Sequence, residues 1–165
     1  MFCKTRKRHG LPPQPFVFFE SIYKNIISKG KGDIIFSVKD STCIAGAVYF
    51  KFGKKILYKF GASITDNSEL RGNFFVMWEA IKKYLSEGFV ELDFGRTELN
   101  HLGLQRFKRG WNADELFIYI SRYNVKERKF LNTSTKTDGI HNSVFNNTPI
   151  FLLKLIGNTL YKHIG

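Results

Sequence analysis

Two short stretches concentrate the side chains able to do chemistry. In Glu91-Leu-Asp-Phe-Gly-Arg-Thr-Glu98, Asp93 interrupts an otherwise apolar run, and Arg96 follows a glycine that permits close backbone approach. In and just before Phe107-Lys-Arg-Gly-Trp111, three cations, Arg106, Lys108 and Arg109, crowd the end of a short helical pattern. One reading is an anion-binding, charge-stabilising site. The other is structural: Asp93 pairs with Arg96 or caps a helix, and the cations complement the negative end of a helix. Residue type alone leaves Asp93, Glu98 and the phenol of Tyr58 as candidate bases, and proton loss to solvent serves equally well.

Other chemistries lack their patterns. The four His stand at positions 9, 101, 141 and 163 and the two Cys at 3 and 43, a spacing that supports no zinc site and predicts no metal. There is no G-x-S-x-G elbow, no phosphate loop ending in Gly-Lys-Ser or Gly-Lys-Thr, and no G-x-G-x-x-G. Hydrolase, nucleoside triphosphatase and dehydrogenase readings lose their usual support.

The elements that must position these residues follow from periodicity. Residues 1–15 are basic, then proline-rich, and read as an extended lead-in. A helix is predicted from Phe16, with Phe19, Ile22, Tyr23, Ile26 and Ile27 at helical spacing and Gly30 and Gly32 as the stop. Three strands of an antiparallel meander follow: alternating Ile34, Phe36 and Val38; a two-sided apolar run over 43–52; and Ile56, Tyr58 and Phe60 after Gly53. A second helix begins near Asn73 with Phe74, Trp78, Ile81 and Leu85 as its apolar stripe, ending at Gly88. Strand 89–94, an amphipathic helix over 101–108 and a final strand over 116–121 complete an α/β layer around one mixed sheet, a domain spanning 16–122. Residues 123–148 read as a polar linker, and 149–165 as a cationic amphipathic helix that packs on its own domain, on a partner or on a membrane surface.

Composition agrees with one folded domain. The 165 residues are 43% hydrophobic and 16% aromatic, with 17 Phe, too apolar for a disordered chain. Two unclustered Cys suggest reduced thiols in the cytoplasm. The 26 Lys and Arg exceed the 14 Asp and Glu, giving +12 and favouring phosphate-rich partners, although single lysines such as Lys51, Lys54, Lys55 and Lys59 suit a solvated strand edge or hairpin tip. The aromatics Phe74, Phe75, Trp78 and Trp111 suit core packing better than a pocket. The most apolar stretch, 150–156, contains Lys154 and is far shorter than the roughly 20 residues a spanning helix needs.

The order of elements, together with Tyr58-Lys-Phe-Gly-Ala-Ser63, Asp93-Phe-Gly-Arg-Thr97 and Gly103-Leu-Gln-Arg-Phe-Lys-Arg-Gly-Trp111, resembles the acyltransferase domain of the Fem-type aminoacyl transferases and their acetyltransferase-like relatives. The resemblance runs from Thr5-Arg-Lys-Arg-His-Gly10 through Ser121 and includes the terminal Leu160-Tyr-Lys-His-Ile-Gly165. It implies a GNAT-like α/β fold, usually two such domains in tandem, and acyl or aminoacyl transfer to an amine or hydroxyl of a cell-wall or surface-glycan precursor. It places the peptide unit between Phe107 and Lys108 beside the tetrahedral oxyanion, with the Lys108 ammonium adding charge, and gives substrate contacts to Arg96, Arg106, Arg109, Tyr58 and Asp93. The implied donor is aminoacyl-tRNA or acyl-CoA, used as substrate with no tightly bound cofactor. Two departures stand out. The coenzyme A loop of the GNAT enzymes, Arg/Gln-x-x-Gly-x-Gly/Ala, is matched only by Glu69-Leu-Arg-Gly-Asn-Phe74, which favours the aminoacyl-tRNA branch or a noncatalytic domain over an acyl-CoA N-acetyltransferase. The chain also begins where the second domain would, so a further GNAT-like domain or subunit is an expected partner. A noncatalytic half-domain binding tRNA or glycan phosphate is the alternative function, and cytoplasmic placement with peripheral contact at the inner membrane face is the expected location.

Overall fold

The computed structural model describes residues 1–64, 69–131 and 140–161, the last stretch with side chains from 144 onward. It divides into two units, Met1–Gly95 with Ile140–Gly165, and Arg96–Gly139. The first holds α1 (Phe2–Arg8), α2 (Phe16–Asn25), β1 (Gly32–Lys39), β2 (Thr42–Phe52), β3 (Lys55–Ser63), α3 (Gly72–Ser86) and β4 (Glu91–Asp93). The second holds α4 (Leu102–Arg109), β5 (Arg122–Asn124) and β6 (Lys129–Leu131), after which α5 (Ile140–Asn147) and α6 (Ile150–Leu160) return to the first.

The first unit is built on a mixed sheet in the order β1-β2-β3-β4, flanked by helices. Strands β1 to β3 form the expected antiparallel meander. Asp40 and Ser41 join β1 to β2 with φ of 47° and 61°, the pair of positive angles that matches a hairpin's twist. Strand β2 is buried continuously from Ile44 to Tyr49. Its small residues admit α3 closely: a Cβ built on Gly72 would lie 3.0 Å from the Ala45 Cβ.

This close approach decides which face of α3 is inside. Val76, Met77, Ala80 and Tyr84 are buried, with the Tyr49 hydroxyl 3.7 Å from Met77 Sδ. The expected stripe is rotated: Phe74, Trp78 and Leu85 are exposed, and Phe75 with them, so the core role expected of these aromatics is not what they have. A helix apolar nearly all round offers two candidate faces, and the sheet selects the smaller side chains.

The opposite face of the sheet carries a second correction. Residues 2–8, expected to be extended, form α1. Phe2, Phe18 and Phe19 meet Phe60 of β3 in edge-to-face contacts. Buried Thr5 binds both backbone groups of Ser63: its Oγ1 donates to the carbonyl and accepts from the N–H, each at 3.3 Å. These contacts are tertiary, so a seven-residue segment with no periodic signal becomes helical.

Helix α6 packs on this same unit. Leu153 is fully buried, and the Cα of Gly157 lies against the backbone of buried Pro13. Arg6 clasps the joint, donating to the Pro12 carbonyl (3.3 Å) and the Tyr161 hydroxyl (3.0 Å). The proline segment is thus a packing surface.

In the second unit, residues 116–121 form no strand, although Leu116, Ile118 and Ile120 alternate. Alternation supplies a face but not a ladder partner, and among the described residues only the short β5–β6 hairpin pairs here. Its Tyr123 and Phe130 rings meet edge to face at 5.1 Å. The stretch expected as a linker therefore contains β6 and α5.

Candidate active site

Strand β4 runs parallel to β3 for three pairs, Lys55↔Glu91, Ile56↔Leu92 and Leu57↔Asp93, and then pairing stops while β3 continues to Ser63. The two strands part at the point where two predicted site residues stand. Asp93 ends β4, and its Oδ1 accepts the Gly95 N–H at 2.6 Å, closing a turn in which Gly95 has φ of 68°. Asp93 neither pairs with Arg96, which turns to Glu98, nor caps a helix; it builds the turn that carries the chain away from the sheet, where a left-handed residue favours glycine.

Tyr58 lies beside this divergence. Its ring contacts Tyr49 (5.6 Å) and Phe94 (6.2 Å), and its hydroxyl reaches over Gly61, where a Cβ would stand only 1.8 Å from it. Burial pushes the Tyr58 phenol above its ordinary pKa. The raised pKa keeps the phenol in its neutral, hydrogen-bonding form. Beyond Leu57, β3 makes no further pair with β4, and α1 closes the far end through Thr5.

The other predicted residues fall in the second unit. The Gln105 amide donates to the carbonyls of Glu98 (3.3 Å) and Leu99 (2.8 Å), so Arg96-Thr-Glu98 is tied alongside α4. Arg96 pairs with Glu98 at 3.1 Å, and Arg109 forms a two-pronged pair with Glu115. That pairing lifts the Arg109 guanidinium pKa and lowers the Glu115 carboxyl. Arg106 is exposed, whereas Phe107 and Lys108 are half-buried, with the Phe107 ring 6.4 Å from Trp111. Arg106, Lys108 and Arg109 occupy the last turn of α4, where cations favour the helix dipole. The structure thus gathers Arg96, Arg106, Phe107, Lys108 and Arg109 in one unit and Tyr58 and Asp93 in the other.

One feature went unread in the sequence, and a second, the Arg71-Gly72 segment, was read there only as a poor match to the coenzyme A loop. Thr97 Oγ1 is buried with no hydrogen-bond partner among the described residues. A lone threonine gives no sequence signal; its place within Asp-Phe-Gly-Arg-Thr was the only pointer. The second is the start of α3. Arg71 precedes it in a left-handed conformation, no side chain caps it, and its first turn holds no acid. Phe74 and Phe75 donate to the Arg71 carbonyl, leaving the Gly72 and Asn73 N–H groups at the positive end of the helix with the exposed Arg71 side chain nearby. These groups fit a phosphate, although Gly72 owes its missing side chain to packing on β2.

A mixed four-stranded sheet, helix-flanked, with three antiparallel strands and a short parallel strand whose pairing stops early, defines a GNAT-like α/β domain. Residues 2–109 match the family described as Acetyltransferase (GNAT) domain, more than half of the chain, and the chain belongs to that family. Membership supports acyltransferase activity in general, and GNAT domains typically use acyl-CoA as donor. It lends no support to aminoacyl-tRNA. No curated protein matches the chain. Among the described residues, no helix is long and apolar enough to cross a membrane.

Proposed function

We propose that the chain transfers an acyl group from acyl-CoA to an amine or hydroxyl on a cell-wall or surface-glycan precursor. The observation that carries this reading is the parting of β3 from β4 after Leu57↔Asp93. A strand side without a ladder partner offers backbone N–H and C=O groups to an extended, amide-containing ligand, and the pantetheine arm of a thioester donor is one. Arg71 and the Gly72 and Asn73 N–H groups would receive its phosphate. The precursor class is supported by the Fem-type resemblance and by the +12 charge, which suits anionic acceptors.

In such a transfer a C–N or C–O bond forms at the thioester carbonyl and the C–S bond breaks; the acceptor loses a proton and the thiolate gains one. Tyr58, beside the point where β3 and β4 part, would offer its O–H as a hydrogen bond at that step. The resemblance gives oxyanion stabilisation to the Phe107–Lys108 peptide unit and the Lys108 ammonium. A donor aimed at a developing oxyanion is worth about 2.7–4 kcal/mol.

The test uses acetyl-CoA as the probe, with binding followed by calorimetry and transfer to a panel of amines followed by release of free thiol. Acetyl-CoA binds the wild-type chain; Arg71→Ala weakens binding; Lys108→Ala leaves binding intact and lowers kcat by about 10²–10³-fold. Absence of both binding and thiol release would overturn the donor assignment. Unchanged kcat in Lys108→Ala would remove that residue's role.

A further inference from the structure

Helix α6 is apolar on both of its sides. Leu153 and Gly157 turn inward. Helical spacing then sets Phe151 and Leu155, two residues to either side of Leu153, on the outer side, where they are 64% and 59% exposed. The start of α2 adjoins them: Pro13 lies against Gly157, and Phe16 and Val17, three and four residues on, are within about 14 Å of Pro13 by chain length alone. These two are 75% and 67% exposed. Positive charge is concentrated on the same elements. Residues 1–31 and 149–161, which carry α1, α2 and α6, contain eight Lys and Arg against one acid, Glu20, and so hold +7 of the chain's +12. Lys4, Arg8, Lys24, Lys29, Lys31 and Lys154 are exposed. Among the described residues no ion pair engages a lysine or arginine of these segments, whereas on the α3 side Lys82 pairs with Glu79, Lys83 with Glu87 and Lys51 with Asp33. Lys24 stands two turns from Val17 on one face of α2, and Lys154 adjoins Leu155 on α6.

We propose that this surface docks on an anionic lipid bilayer, with Phe16, Val17, Phe151 and Leu155 entering the boundary between headgroups and acyl chains and Lys24 and Lys154 reaching the lipid phosphates. The combination of features selects the occupant. A nucleic acid would engage the cations and leave four large apolar side chains in water. An apolar protein groove would cover those side chains and strand unpaired cations beside them. A bilayer interface takes each at its own depth, because apolar side chains reach the acyl boundary while lysines extend their charge outward to the phosphates. Helix α6 stays packed through Leu153 while its outer side docks, so binding requires no unfolding. The chain lies on the surface and does not cross it, since no described helix is long and apolar enough to span. Every residue used lies outside α3, β4 and the second unit, so the proposal stands apart from the donor assignment.

Co-sedimentation of the full-length chain with vesicles reads docking directly, phosphatidylcholine alone being compared with the same lipid containing about one part in three of phosphatidylglycerol. The wild-type chain binds the anionic vesicles, and salt weakens the binding by screening the lysines. Phe16→Ser with Phe151→Ser lowers the partition coefficient at least about tenfold, since burying one such side chain is worth about 10–100-fold. Lys24→Gln with Lys154→Gln lowers it about 25-fold, at about fivefold per cation near an anionic surface, and keeps the apolar side chains, which covers the case in which the phenylalanine variant fails to fold. Leu85, 72% exposed on α3, supplies the control: Leu85→Ser leaves the partition coefficient unchanged. Depth is read by a polarity-sensitive fluorescent label on a single cysteine in a Cys3→Ser, Cys43→Ser background. Attached through Phe151→Cys, the label shifts to the blue on anionic vesicles; attached through Leu85→Cys, it does not. Absence of binding to the anionic vesicles overturns the proposal, including the case in which single-stranded RNA binds instead. So does binding indifferent to both double variants, binding weakened equally by Leu85→Ser, or a label at position 151 that stays in water.

Discussion

Gly157→Ala gives opposite signs depending on whether α6 is a fixed part of the first unit. Gly157 lies inside α6, where alanine is intrinsically better by about 1 kcal/mol. Against that gain stands a backbone contact: the new Cβ would be 2.1 Å from the Pro13 carbonyl oxygen, well inside the 3.4 Å at which ordinary contact begins. A carbonyl in a buried proline segment has no rotamer to escape by, so α6 must retreat. Overpacking of this kind costs about 1–3 kcal/mol, and a retreat that uncovers fully buried Leu153 adds about 1.5–3 kcal/mol. The expected net change is a loss of about 1.5–5 kcal/mol, read as a lower urea midpoint with an unchanged slope. Gly103→Ala in α4 is the matched control, because its Cβ meets nothing within 4 Å and only the propensity gain remains. If both substitutions stabilise, α6 does not rest on Pro13, and its apolar face is free for a membrane or partner. If Gly157→Ala alone destabilises, the helix is structural.

Two further substitutions test the electrostatic and polar interior. Burial pushes the Asp33 carboxyl up, but hydrogen bonds from Lys51 and Tyr84 (each 2.9 Å) and the charges of Lys51 and Lys83 outweigh it and hold it below the usual range. Its contribution is therefore complete above the ordinary carboxylate pKa of about 4 and is lost as pH falls through the lower folded value. Asp33→Asn should cost about 1–2 kcal/mol at pH 7 and converge on wild type near pH 2, with an equal gap at both pH values refuting the assignment. Thr97→Val removes a buried hydroxyl that has no partner among the described residues, so stability should hold or rise by about 1 kcal/mol. A clear loss in thermal melting would mean that the hydroxyl is bonded.

The parts of the fold legible in the sequence are those whose cause is local. Alternation over Ile34, Phe36 and Val38, the two-sided run of β2 and the turn at Gly53 fix the meander before any tertiary contact is known. Helix α3 was legible as a helix but not in orientation, because Phe74, Trp78 and Leu85 outweigh Val76, Ala80 and Tyr84 in hydrophobicity while the alanines and glycine of β2 demand the smaller face. Helix α1 depends on Phe60 and Ser63, more than fifty residues away, and no window around it contains that information.

The candidate site divides along the same line. Asp93 binding the N–H two residues on is a short-range device written in the order Asp-x-Gly, although the pairing with Arg96 or the helix cap expected of it is not what forms. Arg96 with Glu98 is nearly as local. These pairings change what the basic surplus means. Arg96, Arg109 and Lys51 each face a carboxylate in the folded chain, so their positive charge is partly cancelled before any ligand arrives. The first turn of α3, which Arg71 precedes, holds no acidic residue, so the positive end of that helix is not offset from within its own first turn. Tyr58 carries the opposite lesson: its burial beside Tyr49 and Phe94, which raises the phenol pKa, and the room that Gly61 provides emerge only when β3 and β4 are placed together.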